Sequence, residues 1–269
     1  MSHKVFITGT DTGVGKTVLT ALLLAYLRRR RCNALAIKPF ASGSHRDGTL
    51  LNRVQDRCLG EVAVNPFYYT APLAPLAAAR AGGQVVRLQE VVRHIDRLGR
   101  QADVLLIEGC GGLLAPLGPR YDAVDLIEKI GAKVVVVARN RLGVLNHALL
   151  TLRALEARGL EVAALVLMET RRPDPSHATN PSILAELAHP RPVFNLPFLG
   201  PQAATFRVIR RAESAVENIL QKVLVRAGVP ASVRATSASA RRRTRPEKKA
   251  KKAVDGGAGR GKLTALHNE

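Results

Sequence analysis

Short apolar runs alternate along most of the chain with stretches whose apolar residues recur at helical spacing. The runs at 103–107 and 133–138 are apolar without alternation, which is typical of strands buried on both faces of a sheet. Strands are predicted at 5–8, 34–37, 103–107, 133–138, 161–167 and 193–196. Helices are predicted at 16–31, 86–100, 122–130, 145–158, 182–188 and 203–227. This alternation predicts an α/β fold, in which a mostly parallel sheet is flanked by helices in three layers.

The composition fits a folded protein with a large core. Of 269 residues, 46% are hydrophobic and 23% are charged. No apolar run approaches the roughly 20 residues that a membrane-spanning helix needs, so no membrane association is expected. Three unevenly spaced cysteines, Cys32, Cys58 and Cys110, argue against a disulfide scaffold and suit a reducing compartment. The first residues lead directly into a strand without the pattern of a signal peptide, and we expect a cytoplasmic protein.

The net charge of +20 is divided unevenly along the chain. Residues 229–269 hold eleven Lys and Arg and three acids, a net of +8, which leaves +12 on residues 1–228. The segment 229–269 is rich in Ala, Ser, Gly and like charges, and it is predicted to be a disordered tail after a single domain at 1–228. It is either a solvated extension or a salt-sensitive attachment to nucleic acid, without aromatic residues for base stacking. We expect nucleic acid to contact the chain, if at all, only through this tail.

Residues 9–17, Gly-Thr-Asp-Thr-Gly-Val-Gly-Lys-Thr, lie between a predicted strand and a predicted helix and form a phosphate-binding loop. Gly13 and Gly15 allow backbone N–H groups to turn toward a phosphate, and the helix start adds the positive end of its dipole. Lys16 is expected to reach the β- and γ-phosphates, and the Thr17 hydroxyl to bind Mg²⁺. The first glycine stands one position earlier than in the standard motif. The stretch therefore predicts a P-loop NTPase-type fold with a variant loop.

Two further Gly-rich strand ends are expected beside this loop, because the carboxyl ends of parallel strands meet at one edge of a sheet. Glu108 ends the strand that precedes GCGG and is a candidate Mg²⁺ ligand. A second acid comes from Asp47 or Asp56, and the residues alone leave this choice open. Lys38 ends the second strand, where its charge can neutralise a phosphoryl group in transfer. Outside a phosphate site, each would be an ordinary strand-end or surface residue.

The motifs, taken in order, resemble those of the dethiobiotin synthetase family. The resemblance covers roughly residues 3–228 and leaves out the tail. It implies a homodimeric ligase that uses Mg²⁺ and ATP, joins CO₂ to 7,8-diaminononanoate and closes the ureido ring of dethiobiotin, the penultimate step of biotin synthesis. The matching blocks are GTDTGVGKT at 9–17, IKPFASGS at 37–44, NPFYYTAPLAPLAAA at 65–79, LIEGCGG at 106–112 and LGVLNHALLT at 142–151.

The resemblance implies a role for each matching residue. The implied catalytic residues are Lys38, Lys16 and Thr12. Of these, Lys38 is implied to contact the carbamate. The implied nucleotide contacts are Gly13, Val14, Gly15, Lys16, Thr17, Val18, Asp56, Glu108, Gly109, Cys110, Gly111, Met168, Glu169, Leu196, Pro197 and Phe198. The implied substrate contacts are Thr12, Lys38, Ser42, Gly111 and Gly112, together with the partner subunit's Gly143, Val144, Leu145 and Asn146. The implied Mg²⁺ ligands are Thr17, Asp56 and Glu108, with Asp56 preferred over Asp47 because the Gln-Asp pair at 55–56 fits the family position.

The implied reaction agrees with the chemistry of these residue types. A diamine and CO₂ give a carbamate, whose oxygen is a poor leaving group until it accepts the γ-phosphoryl group. The second amine then attacks the carbamic–phosphoric anhydride and expels phosphate. Such a reaction needs positioning and charge neutralisation more than a protein nucleophile.

Two positions depart from the family pattern. Met168 stands where the family has an asparagine that reads adenine, and a methionine cannot both donate and accept hydrogen bonds at a base edge. The resemblance implies ATP as the co-substrate. Because Met168 cannot make these hydrogen bonds, other nucleoside triphosphates are alternatives. Leu76 replaces a histidine that the family often has after Pro75.

Three alternatives share the phosphate loop. A partitioning-type ATPase carries an early loop lysine in a KGGxGK pattern, and here Asp11 occupies that position. An amidotransferase of the cobyrinic-acid type has a further glutaminase domain, which is not expected to fit in this chain. A non-catalytic, polyanion-binding P-loop protein has no need of Lys16, Lys38 and Glu108 together. The ligase therefore fits the residues best.

Overall fold

A parallel sheet forms the centre of the protein, in a computed structural model that describes residues 2–231. The strands are β1 (His3–Gly9), β2 (Ala34–Ile37), β3 (Phe40–Ser42), β4 (Phe67–Tyr69), β5 (Val104–Glu108), β6 (Lys133–Arg139), β7 (Val162–Met168) and β8 (Val193–Leu196). Six of them form one sheet in the order β2-β5-β1-β6-β7-β8, and every neighbouring pair is parallel. The short strands β3 and β4 form a separate parallel pair.

Helices connect the strands and cover the sheet. They are α1 (Lys16–Arg29), α2 (Arg46–Val54), α3 (Glu61–Val64), α4 (Pro75–Ala81), α5 (Leu88–Gly99), α6 (Ala123–Ile130), α7 (Val144–Glu156), α8 (Asn180–Leu187), α9 (Phe206–Ala212) and α10 (Glu217–Arg226), with a 3₁₀ turn at Pro175–Ala178. Helix α6 shows how the local sequence sets a boundary. Asp122 accepts hydrogen bonds from the backbone N–H groups of Val124 and Asp125, while the Asp125 side chain accepts from the Asp122 N–H. This capping box satisfies amide groups that the first turn cannot pair internally.

The sheet separates two apolar layers. One layer joins the sheet to α1, α2, α9 and α10, and the other joins it to α5, α6, α7 and α8. In β1, Val5 and Ile7 pack into the first layer, whereas Phe6 packs into the second. Both faces of the strand are buried, as the unbroken apolar runs predicted. The predicted three-layer α/β fold is confirmed.

The last predicted helix, at 203–227, is wrong as a single element. It is divided into α9 and α10, which are separated by residues 213–216. Glu213 in this break is buried, and its carboxylate accepts a hydrogen bond from Arg29 Nε at 2.8 Å. The break therefore contains a tertiary ion pair, at a place where the helical periodicity of the sequence continues. Five elements between residues 40 and 81 were not predicted: β3, α3 and β4 have only three or four residues, which is too few to show a periodicity, and the longer helices α2 and α4 were missed.

The folded part continues slightly beyond the predicted domain boundary. Val229 is 2% exposed and packs with the α1 and α10 layer. The tail predicted from residue 229 onward lies, from residue 232, outside the described residues. Within residues 2–231, no helix has the length and apolar character needed to cross a membrane.

Candidate active site

A cavity of about 1040 Å³ opens at the edge where β1, β2 and β5 end. The predicted residues that line it are Thr12, Gly13, Val14, Gly15, Lys16, Thr17, Val18, Lys38, Ser42, Glu108, Cys110, Gly111, Gly112, Met168, Glu169, Pro197 and Phe198. The segments that follow β1, β2 and β5 thus lie at one edge of the sheet, as expected for the carboxyl ends of parallel strands.

The phosphate loop has the conformation that its glycines allow. Gly13 and Gly15 have φ angles of 71° and 109°, a region that favours glycine. The early glycine of the variant motif also has a steric reason. A Cβ atom on Gly9 would lie 2.7 Å from Val14 Cγ2 and 3.1 Å from Lys16 Nζ. The backbone at residue 9 thus passes too close to the loop for any side chain.

Lys16 lies folded against the loop. Its Nζ donates hydrogen bonds to the carbonyl oxygens of Asp11, at 2.7 Å, and Gly111, at 2.6 Å. Burial, together with the nearby charge of Lys38, lowers the pKa of Lys16 to about 8. The amine is held at the loop, where a bound phosphate would favour its protonated form.

Glu108 is the centre of a buried polar cluster. Its Oε1 accepts hydrogen bonds from Lys38 Nζ at 2.6 Å and from Thr17 Oγ1 at 2.7 Å. Its Oε2 is buried and has no hydrogen-bond partner within residues 2–231. Burial alone would lower the pKa of Lys38, but the carboxylates of Glu108 and Asp47 outweigh it and raise that pKa above its ordinary value. Lys38 is therefore a permanent cation at this edge.

The second carboxylate at the site is Asp47 and not Asp56. Asp47 lies in the first turn of α2, lines the cavity and is 3.0 Å from Lys38 Nζ. Asp56 lies two residues beyond the opposite end of α2, which carries the chain about 10 Å along the helix axis between Asp47 and Val54. There its exposed carboxylate pairs with Arg28 at 2.8 Å. The placement expected for Asp56 as nucleotide contact and Mg²⁺ ligand is wrong, because α2 carries the chain away from the cavity, and Asp47, the other acid that the residues left open, lies there instead.

Cys110 lines the cavity without the properties of a nucleophile. Burial raises the pKa of its thiol, although Lys38 and Lys16 act in the opposite direction. The thiol therefore stays protonated at neutral pH. Cys110 therefore forms part of the cavity wall.

The far end of the cavity is formed by β7 and the segment after β8. Met168 packs against the phosphate loop, since a Cβ on Gly15 would lie 2.9 Å from its Cε and Cγ atoms. The Glu169 carboxylate accepts a hydrogen bond from Asn140 Nδ2 at 3.0 Å and pairs with His177. Phe198 adds an apolar side chain to the lining of the cavity at this end.

Some predicted contacts lie outside the cavity wall. Leu196 is fully buried, and Gly109 packs behind the wall, where a Cβ would meet Phe6 Cε1 at 3.0 Å. The segment 143–146 begins α7 and does not line the cavity of its own chain. Gly143 and Asn146 are exposed, whereas Val144 is buried.

Two guanidinium groups at the cavity were missed by the sequence analysis. Both Arg139, the last residue of β6, and Arg171, which follows β7, line the cavity. Arg139 directly follows the strand predicted at 133–138, just as Lys38 and Glu108 directly follow the strands predicted at 34–37 and 103–107, so the same reasoning could have found it. It was passed over because no phosphate-loop motif includes it.

Comparison with known proteins agrees with this geometry. A family model described as an AAA domain matches residues 3–201. The ATP-dependent dethiobiotin synthetase of Anaeromyxobacter sp. (strain K) is 42% identical over 198 residues, which cover 72% of this chain and 89% of that protein. The enzyme of the same name from Bacillus subtilis (strain 168) is 36% identical over 188 residues, covering 68% and 81%. The MinC:MinD cell division protein complex from Aquifex aeolicus has a chain of similar fold, with a TM-score of 0.53 at 14% identity over 84% of this chain and 95% of that chain.

Proposed function

The chain belongs to the ATP-dependent dethiobiotin synthetases, and we propose that its cavity closes the ureido ring of dethiobiotin from 7,8-diaminononanoate, CO₂ and a nucleoside triphosphate. The observation that carries this proposal is the convergence of Lys16, Thr17, Lys38 and Glu108 at one cavity. These groups position a triphosphate and neutralise charge. No nucleophile or general-base pair is needed for the proposed reaction.

The proposed reaction proceeds in three steps. One amine of the substrate adds to CO₂ and loses a proton, which gives a carbamate. A carbamate oxygen attacks the γ-phosphorus, and the nucleoside diphosphate leaves. The second amine attacks the carbamate carbon, expels phosphate, loses a proton and closes the ring. Lys38, as a buried cation, stabilises the negative charge on the carbamate and on the departing phosphate oxygen.

Lys16 and the loop amides hold the triphosphate for this transfer. Its Nζ reaches the β- and γ-phosphates from the position that it now occupies beside the carbonyl of Gly111. Thr12, Ser42 and Gly112 line the neighbouring part of the cavity and are proposed to contact the diamine. The apolar wall at Pro72, Leu73 and Ala115 suits a hydrocarbon chain.

The donor set fits Mg²⁺. Thr17, Glu108 and Asp47 offer the hard oxygen atoms that this ion prefers, and Glu108 Oε2 is buried without a partner within residues 2–231. Within residues 2–231, no group of three or more His, Cys, Asp or Glu side chains is placed so that it could hold a metal ion without other ligands. Mg²⁺ is therefore proposed to bind through one or two carboxylates together with phosphate oxygens, where it would neutralise charge on the transferred group.

A homodimer is proposed to complete the site. Gly143 and Asn146 are exposed at the start of α7, and the helix N-terminus attracts a carboxylate. Leu142 and Leu150 lie nearby and are 78% and 59% exposed, and such exposed apolar side chains suit a surface that a partner subunit covers. The partner subunit's Gly143 and Asn146 would then hold the carboxylate of the diamine. We also infer a cytoplasmic enzyme, because its free cysteines suit a reducing compartment.

The test is product formation by the full chain. The protein is incubated with 7,8-diaminononanoate, bicarbonate, Mg²⁺ and one of ATP, CTP or GTP, and dethiobiotin is measured by mass spectrometry. Dethiobiotin is expected with ATP, and the ranking of the three nucleotides reports what Met168 does to base choice. Hydrolysis of every triphosphate without dethiobiotin would instead favour a P-loop ATPase of the partitioning type.

A further inference from the structure

The ends of β6 and β7 support the phosphate loop from one side. Arg139 and Met168 are paired in the register of these two strands. Met168 packs against the position of Gly15, and the guanidinium of Arg139 donates a hydrogen bond to the carbonyl oxygen of Gly13. Each residue of the pair therefore holds one of the two loop glycines with a positive φ angle.

We infer that Arg139 is a positioning residue for the phosphate loop. It fixes the peptide group between Gly13 and Val14, and so prepares the loop amides for a triphosphate. The inference rests on the proposed function only in that the loop binds the phosphates of a nucleotide.

The direction of this peptide group follows from its planarity. In a trans peptide the carbonyl and the following N–H point to opposite sides. Because the Gly13 carbonyl faces Arg139, the Val14 N–H faces away from it. That N–H donates to no acceptor within residues 2–231 and is available to a phosphate oxygen. Release of the carbonyl would let the glycine peptide turn, since Gly13 has few barriers to rotation.

Few other contacts can do this work. The loop enters from β1, where the Thr10 N–H donates to the Val137 carbonyl of β6 at 3.0 Å. Within the described part of the chain, positions 11–14 receive no other hydrogen bond from outside residues 9–17 than that of Arg139. The entry of the loop and its Gly13 carbonyl are thus both tied to β6. The bond involves a charged donor, which makes it stronger than a bond between neutral groups.

The test measures nucleotide affinity without the diamine. Mg²⁺–ATP binding to the full chain is followed by calorimetry for wild type, Arg139→Ala and Arg139→Lys. The matched control is Arg172→Ala, which removes an exposed arginine that does not line the cavity. We expect Arg139→Ala to raise the dissociation constant about tenfold, Arg139→Lys to recover part of the loss, and the control to stay within about twofold.

Two further readouts separate positioning from a general loss of structure. Added guanidinium ion should restore affinity to Arg139→Ala and leave the control unchanged. The KM for ATP should rise in Arg139→Ala while the KM for 7,8-diaminononanoate stays unchanged. Equal affinities in Arg139→Ala, Arg172→Ala and wild type would overturn the inference, and so would a loss that guanidinium and lysine both fail to recover. Because the calorimetric affinities and their recovery by guanidinium are measured without turnover, they are independent of whether dethiobiotin is formed, and only the comparison of KM values requires the proposed reaction.

Discussion

Lys38 Nζ lies 2.6 Å from Glu108 Oε1, and both side chains are almost completely buried. Two residues that are 70 positions apart thus form one charged unit at the end of neighbouring strands β2 and β5. Charge buried in this way is costly unless it is paired, so the pair is retained at a place where charge is useful. The proposed reaction uses both partners, Lys38 toward the carbamate and Glu108 toward the metal ion.

Loss of the Lys38 charge should abolish ring closure. Lys38→Met is expected to lower kcat by at least about a hundredfold, because a buried cation that faces developing charge has no substitute in the cavity. ADP affinity should stay near the wild-type value, since the loop and Lys16 remain. Product formation and calorimetric ADP binding are the two measurements. Turnover near the wild-type rate would remove Lys38 from the reaction.

The same pair predicts a pattern in stability. Lys38→Met leaves the Glu108 carboxylate buried without its cation and should lower the free energy of unfolding by about 3 kcal/mol. The double variant Lys38→Met/Glu108→Gln should be more stable than Lys38→Met, because no fully buried carboxylate is left without its cation, and Asp47, the other partner of Lys38, is partly exposed to water. Urea denaturation of wild type, both single variants and the double variant gives the coupling energy. Strictly additive losses would contradict a coupled pair.

The proposed Mg²⁺ site, with Asp47 in place of Asp56, can be tested with a matched pair of acids. Asp47→Asn should raise the Mg²⁺ concentration for half-maximal activity by about tenfold, and Glu108→Gln should do so at least as strongly. Asp56→Asn removes the same charge at the far end of α2 and should leave the Mg²⁺ titration unchanged. If Asp56→Asn shifts the titration and Asp47→Asn does not, the assignment is reversed.

Nucleotide affinity should fall as the pH rises above about 8. The pKa of Lys16 is lowered to about 8 in the protein without nucleotide, and bound phosphates favour its protonated form. The pKa is therefore higher in the complex, so affinity is full below pH 8 and is lost progressively above it. Calorimetric ATP binding between pH 7 and pH 9.5 checks this. Lys16→Arg is the control, because its guanidinium stays charged and its affinity should be flat over the same range.

A site built from two subunits predicts complementation between inactive variants. Lys38→Met and Asn146→Ala should each be impaired alone. Mixed after unfolding and refolding together, they should regain about a quarter of the wild-type sites, since half of the dimers are hybrids with one intact site. Activity is measured against the mixing ratio. A mixture no more active than its components would show that Asn146 does not serve the partner's cavity.

Much of this site could be predicted from local sequence, and the rest depends on contacts between distant residues. The apolar strand before Glu108 and the Gly-rich loop around Lys16 can be recognised from the sequence, because burial and loop conformation constrain residue types at neighbouring positions. The choice between Asp47 and Asp56 depended on the direction of α2, which no local pattern contains. The contact of Glu213 with Arg29 and that of Arg139 with the Gly13 carbonyl join residues that are far apart along the chain, so no local pattern indicates them.

The central claim is tested most directly by following oxygen from bicarbonate into phosphate. The full chain is given 7,8-diaminononanoate, ATP, Mg²⁺ and ¹⁸O-labelled bicarbonate, at times shorter than the exchange of label with water. If a carbamate oxygen attacks the γ-phosphorus and leaves with it, dethiobiotin and inorganic phosphate form together and each phosphate carries a single ¹⁸O atom. Dethiobiotin accompanied by unlabelled phosphate, or ATP consumption without dethiobiotin, would contradict the account.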